Sequence, residues 1–223
     1  MSRGSEVALE LPARSLFAFT FQCHRRARPP RVDGRLTDWP AKYRLPDISA
    51  LDGRRPFAQV YVSWNEEGLH FACRVDGKRR VETDRDRWWR KDCLEVWLDM
   101  RDNRTIHRAT RFCHQFCFIP QSPEGRRNSA EGWQVPIHRA LEQAPQCDPE
   151  QLQVAAVTGK TFYCLEIVLP SEVLFGFDPE VCSRLGFAYH INDAQLGQQS
   201  ATVGKEFPIH SDPGLWATLE LVR

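Results

Sequence analysis

VYVSWNEEGLHFACRV, residues 60–75, decides the fold. Two runs rich in valine, aromatic and other strand-forming residues flank the break NEEG, the pattern of an antiparallel hairpin. Side chains alternate along a strand, so Val60, Val62 and Trp64 share one face, which we read as core. Gly68 closes the turn because it accepts backbone angles that a Cβ disfavours. LQVAAVT (152–158) and TFYCLEIVLP (161–170) repeat the arrangement around Gly159 and Lys160. Further strand-like runs are CLEVWLDM (93–100), RFCHQFCFI (111–119), RLGFAYHI (184–191) and LWATLELV (215–222).

No long helical periodicity accompanies these runs; QVPIHRALEQ and SEVLFGF suit a turn or two of helix. The expected fold is all-β: an antiparallel two-sheet β-sandwich, immunoglobulin-like or jelly-roll-like, with only short helices. Residues 1–28 read as an N-terminal extension packing on the sandwich, residues 29–223 as the domain, and 120–132 as a mobile surface loop.

Bulk composition narrows the function. The 223 residues are 42% hydrophobic, enough for a core that needs no metal or disulfide. Thirty basic residues against 29 acidic ones leave no net field toward nucleic acid or an anionic membrane, so neither is an expected partner. The N-terminal stretch lacks a basic segment followed by an apolar run, and no stretch reaches the roughly 18 apolar residues of a membrane span. The expected location is the cytoplasm, and eight cysteines, most within apolar strand-like runs, read as reduced, buried thiols.

The stretch RWWRKDCLEVWLDM (87–100) carries the candidate site. Leu94, Val96 and Leu98 face the core, whereas Cys93, Glu95, Trp97 and Asp99 share the other face, read as at least partly wet. On 111–119, Phe112, His114, Phe116 and Phe118 look inward, and pairing with 93–100 brings Glu95 near Arg111 or Gln115. Trp88 and Trp89 cannot both point inward from an extended chain, so at least one is exposed. Trp216 shares its face with Thr218 and Glu220. An exposed indole implies a ligand or partner, and a sugar ring offers C–H patches edged with hydroxyls that suit an indole set among charges.

Other chemistry is disfavoured. Cys113 and Cys117 lie about 13 Å apart along a strand, too far to share zinc with His114. Glu95 and Asp99 are separated by the same distance, beyond a glycosidase carboxylate pair, and no G-x-S-x-G elbow occurs. Haem ligation by methionine would rest on Met100 alone. No glycine-rich phosphate loop follows a strand. The expectation is a noncatalytic protein without cofactor or metal.

Four landmarks follow in order: VDGRLTDWP (32–40), VYVSWNEEGLHFACRV (60–75), WWRKDCLEVWLDM (88–100) and DPGLWATLEL (212–221). Together they resemble the family 9 carbohydrate-binding modules, over roughly residues 29–223. The resemblance implies a β-sandwich that grips a glycan end between two aromatic rings, with charged hydrogen-bonding residues beside them. By position, the first ring is Trp89, with Trp88 its rival; the carboxylate is Glu95, a following-strand arginine maps loosely to Arg111, and Trp216 is the candidate opposing ring. Gln115 completes the expected ligand-binding set. Some relatives bind calcium, but no clustered carboxylate loop matches that role. The expected partners are a saccharide and, beyond it, a glycoside hydrolase or a second copy of the chain. The alternative on the same scaffold is a protein-interaction domain whose exposed tryptophans a subunit covers; an enzyme associated with glycoside hydrolysis is a more distant one.

Overall fold

The computed structural model describes residues 11–124, 129–204 and 206–223. Residues 125–128, within the stretch read as a surface loop, lie outside them, and the end of that stretch begins a strand. Eleven strands occur among the described residues: β1 (Thr20–Arg25), β2 (Ala58–Asn65), β3 (Gly68–Asp76), β4 (Cys93–Asp99), β5 (Cys113–Ile119), β6 (Glu131–Gln134), β7 (Gln153–Thr158), β8 (Phe162–Pro170), β9 (Arg184–Asp193), β10 (Gly197–Ser200) and β11 (Ala217–Val222). Helical segments are short 3-10 turns, including Ser171–Val173 inside SEVLFGF.

The strands form one continuous mixed sheet in the order β6-β5-β4-β9-β11-β1-β2-β3-β8-β7, with β10 added beside β9. β1, from the first 28 residues, runs parallel to both β11 and β2, in the middle of the path. This corrects the expected purely antiparallel pair of sheets. The sheet curls until its ends, β6 and β7, come back into contact, so it is nearly closed into a barrel. Curling removes most of the exposed edge that an open sheet would present. Phe71 of β3 and Phe187 of β9 stack across the interior with centroids 6.1 Å apart, although three strands separate them along the sheet.

Leu94, Val96, Leu98, Phe116 and Phe118 belong to this interior, as does Trp64. Their alternation on β4 and β5 places Cys93, Glu95, Trp97, Gln115 and Cys117 on the outer face, since directly paired residues point the same way. Most of that face is covered. A second apolar cluster of Trp97, Ala109, Ile137, Ala188, Ile209 and Trp216 covers one part of it, and a third, of Cys93, Cys117, Ile119 and Trp133, covers another. Long connections fold back over the outer face, which strand periodicity does not reveal. All eight cysteines are free thiols, six of them buried.

The VDGRLTDWP landmark is an anchor on the opposite half of the sheet. Glu166 of β8, fully buried, accepts the Trp39 indole N–H at 2.7 Å and the Asp33 backbone N–H at 3.0 Å. Gly34 sits between them at φ +78°, where a Cβ would stand 2.5 Å from the Ala156 carbonyl carbon of β7. A side chain there meets both strain and a backbone clash. Gly34→Ala should cost roughly 2 to 3 kcal/mol. Thermal unfolding should register this as a melting temperature lower by about 5 °C or more.

Buried histidines give the fold a defined pH response. Burial lowers His114 to about 4 and His70 to about 3. His114 Nε2 lies 3.2 Å from the Phe175 carbonyl, and Gln134 Nε2 lies 3.2 Å from His114 Nδ1, which fits a neutral ring protonated at Nε2. Between the ordinary histidine value near 6.5 and about 4, the unfolded chain holds a proton at residue 114 that the folded chain does not. The stability conferred by the neutral ring is therefore present above pH ~6.5 and lost as pH falls toward 4. Buried carboxyls raised by desolvation, Asp92, Asp99 and Glu166, act in the opposite sense. They are common to wild type and variant, so His114→Gln should show a smaller decline in melting temperature between pH ~6.5 and ~4.5. Parallel declines would remove His114 from the account.

Candidate functional site

The connection from β3 to β4 builds the site. Asp84 caps its turn, its Oδ1 accepting the backbone N–H of Asp86 and of Arg87, both at 3.0 Å. A single 3-10 turn, Trp88–Arg90, follows. Glu82 and Asp92 close the segment by a reciprocal pair of bonds: Asp92 N–H to the Glu82 carbonyl at 2.8 Å, and Glu82 N–H to Asp92 Oδ2 at 2.8 Å. The result is a short loop with a fixed neck, and both tryptophans ride on it.

Trp88 turns into the protein and Trp89 outward. The Trp88 ring packs edge-on against Trp133, with centroids 5.7 Å apart, and its indole N–H donates to Glu95 Oε1 at 3.1 Å. Gln115 Nε2 donates to the same oxygen, also at 3.1 Å. Trp89 meets Trp88 edge-to-face at 4.9 Å and remains 43% exposed, a large share for an indole. A buried carboxylate is tolerable only with donors around it. Here those donors include the indole that supports the exposed ring.

Trp89, Glu95, Trp97, His190, Ile209 and His210 line a cavity of about 400 Å³. That volume lies within the roughly 300–1,000 Å³ of small-ligand clefts. Larger or comparable hollows elsewhere lack this pairing of exposed indole and carboxylate. Glu95 of β4 pairs directly with His190 of β9, which places both on the outer face at the cavity floor. The ring nitrogens of His190 and Trp97 are buried. Glu95 and the exposed His210 supply polar groups at the cavity, and Trp89 supplies an exposed apolar ring.

The structure brings Trp88, Trp89, Glu95 and Gln115 together and separates the other two expected residues from them. Trp216 is completely buried: it lies at the turn into β11, and its indole N–H donates to the Ile209 carbonyl at 2.7 Å. It supports the cavity wall from behind, through Ile209, and cannot be an opposing ring. The shared face with Thr218 was misleading because the segment before β11 folds over that face. Arg111 precedes β5, whereas Glu95 pairs with Cys117 near the other end. Four residues of strand, about 13 Å, already separate Cys113 from Cys117. Arg111 lies over the Phe175 ring at 4.5 Å and near Glu142 at 3.6 Å.

Sequence reasoning placed Trp97 on the face of Glu95 without assigning it a role, and it missed His190, Ile209 and His210. The register of β9 against β4 selects His190 from its strand, and alternation alone does not give register. His210 lies in the connection from β10 to β11, with no motif to single it out. Among the described residues no group of three or more His, Cys, Asp or Glu is placed to hold a metal ion.

Comparison with known proteins agrees with this geometry at the level of fold. A family 9 carbohydrate-binding module from Caldicellulosiruptor kristjanssonii in complex with cellotriose superposes with a TM-score of 0.64 at 12% identity, covering 91% of this chain and 93% of that one. A structure of such a module from the same organism in complex with glucose gives 0.62 at 13% identity, covering 90% and 95%. A putative carbohydrate-binding protein from Bacteroides uniformis gives 0.56 at 14%, covering 92% and 100%. No curated protein matches the chain. The family model described as "Carbohydrate family 9 binding domain-like" matches residues 33–223, and the chain belongs to that family.

Proposed function

We propose that this protein is a noncatalytic carbohydrate-binding module, and that the cavity beside Trp89 receives a saccharide. The observation that carries the reading is the exposed Trp89 ring sharing a cavity of sugar-compatible size with a buried, hydrogen-bonded carboxylate. Family membership and the glucose and cellotriose complexes of the structural relatives support it.

The energetics are adequate. Covering about 100 Å² of indole with the C–H face of a sugar supplies roughly 2.5 kcal/mol. Each hydroxyl hydrogen bond to a charged group such as Glu95 adds on the order of 1.5 to 3 kcal/mol. Association entropy consumes much of this sum, leaving affinities around the micromolar range. Trp88 and Gln115 hold the carboxylate and contribute through it, while Trp89, Glu95 and His210 meet the ligand.

Calorimetric titration with glucose and cellotriose tests the reading. Wild type should bind, and Trp89→Ala should weaken binding by about tenfold to a hundredfold, in line with the lost stacking area. Trp89→Ala should lower the melting temperature by only a few degrees, because 43% of the residue is already exposed. Trp216→Phe should behave in the opposite way, lowering stability as a core indole and its hydrogen bond are lost, with little direct effect on the ligand. Absence of sugar binding at millimolar concentration would remove the proposal.

A further inference from the structure

We propose that Lys78 is a positioning residue for the saccharide site, its ammonium clasping the neck of the loop that presents Trp88 and Trp89. The inference rests on the carbohydrate reading of that site. Lys78 lies just past β3, and its side chain is 2% exposed. Nζ lies 2.8 Å from Asp92 Oδ2 and 2.9 Å from Asp193 Oδ1, and both carboxylates are fully buried. A lysine is rarely buried so completely without such partners.

The bridge joins the two elements that frame the cavity. Asp92 closes the tryptophan loop through its reciprocal bonds with Glu82, and its Oδ1 accepts the Ala194 N–H at 2.9 Å. Asp193 ends β9, three residues after His190, and its Oδ1 accepts the N–H of Gln195 at 2.9 Å and of Leu196 at 2.8 Å. Asn192 adds a bond from Nδ2 to the Lys91 carbonyl at 2.7 Å. The loop neck is thus fastened to β9 through two carboxylates that repel each other without a cation between them. Burial pushes Asp92 up while the Lys78 ammonium and the Glu82 and Ala194 amides pull it down. The side-chain carboxylate of Glu82, held by Lys91 and Arg80, lies outside this knot, and the buried Tyr163 feels both carboxylates from β8.

Loosening the neck frees the Trp88–Trp89 pair, and a saccharide then has to order the loop at the expense of affinity. Lys78→Met removes the ammonium and keeps most of the side-chain volume. Two readings are taken well below the melting temperature: cellotriose affinity, and the circular dichroism of the coupled indoles, which depends on their mutual geometry. Glu166→Gln is the control, because it removes a buried charge of comparable structural weight from the opposite half of the sheet. Lys78→Met should lose the coupled-indole signal and weaken cellotriose binding by about tenfold or more. Glu166→Gln should leave both near wild type even at an equal loss of melting temperature. A destabilised Lys78→Met with wild-type signal and affinity overturns the proposal. Should Lys78→Met not fold, Asp193→Asn, which leaves one carboxylate on the lysine, carries the same comparison with the same expected and contrary results. If wild type binds no sugar, the carbohydrate reading fails by itself; the dichroism then decides whether the clasp exists, a lost signal supporting it and a retained one overturning it.

Discussion

A carboxylate buried in a β-sheet has to be surrounded by donors, and the cost of leaving it otherwise is several times the worth of an ordinary hydrogen bond. Glu95 imposes that condition on this molecule. Its Oε1 is met by Gln115 from the adjacent strand and by the indole of Trp88 from the preceding loop. Satisfying Glu95 thus fixes Trp88, Trp88 supports Trp89 edge-on, and Trp89 stands at the cavity. The exposed ring is a product of a buried charge.

The sheet makes this possible by how it closes. β1 joins two otherwise antiparallel halves through parallel pairing on both of its edges, and the whole path curls until β6 meets β7. One face is consumed by the common core. The other face of β4, β5 and β9 is capped by long connections, which leave a gap between the tryptophan loop and the segment around Ile209 and His210. The cavity is the part of the outer face that these coverings do not reach.

Much of this was legible in the sequence, for identifiable reasons. The two hairpins at 60–75 and 152–170 carry strong local signals, and β2–β3 and β7–β8 form there. The inward set of β4 followed from alternation, as did the common face of Glu95 and Trp97. What alternation could not supply was anything dependent on non-local pairing or on loops. β1 carries its own alternation, Phe17, Phe19, Phe21 and Cys23, but the first 28 residues read only as an extension, and the place of β1 between β11 and β2 depends on neighbours distant in sequence. Trp216 looked surface-bound because its strand neighbours are polar, but a connection buries it. Arg111 was brought too close by extending a strand two residues beyond where it starts. His190 depends on a register that only the assembled sheet fixes, and His210 on a loop path.

The most direct test of the account is to follow the indole N–H resonances of all seven tryptophans by NMR as cellotriose is added. The account predicts that Trp89 and its neighbour Trp88 shift in a saturable manner while Trp64, Trp39 and Trp216 stay in place. Resonances that all remain still at millimolar sugar, or shifts centred on Trp39 in the opposite half of the sheet, would contradict it.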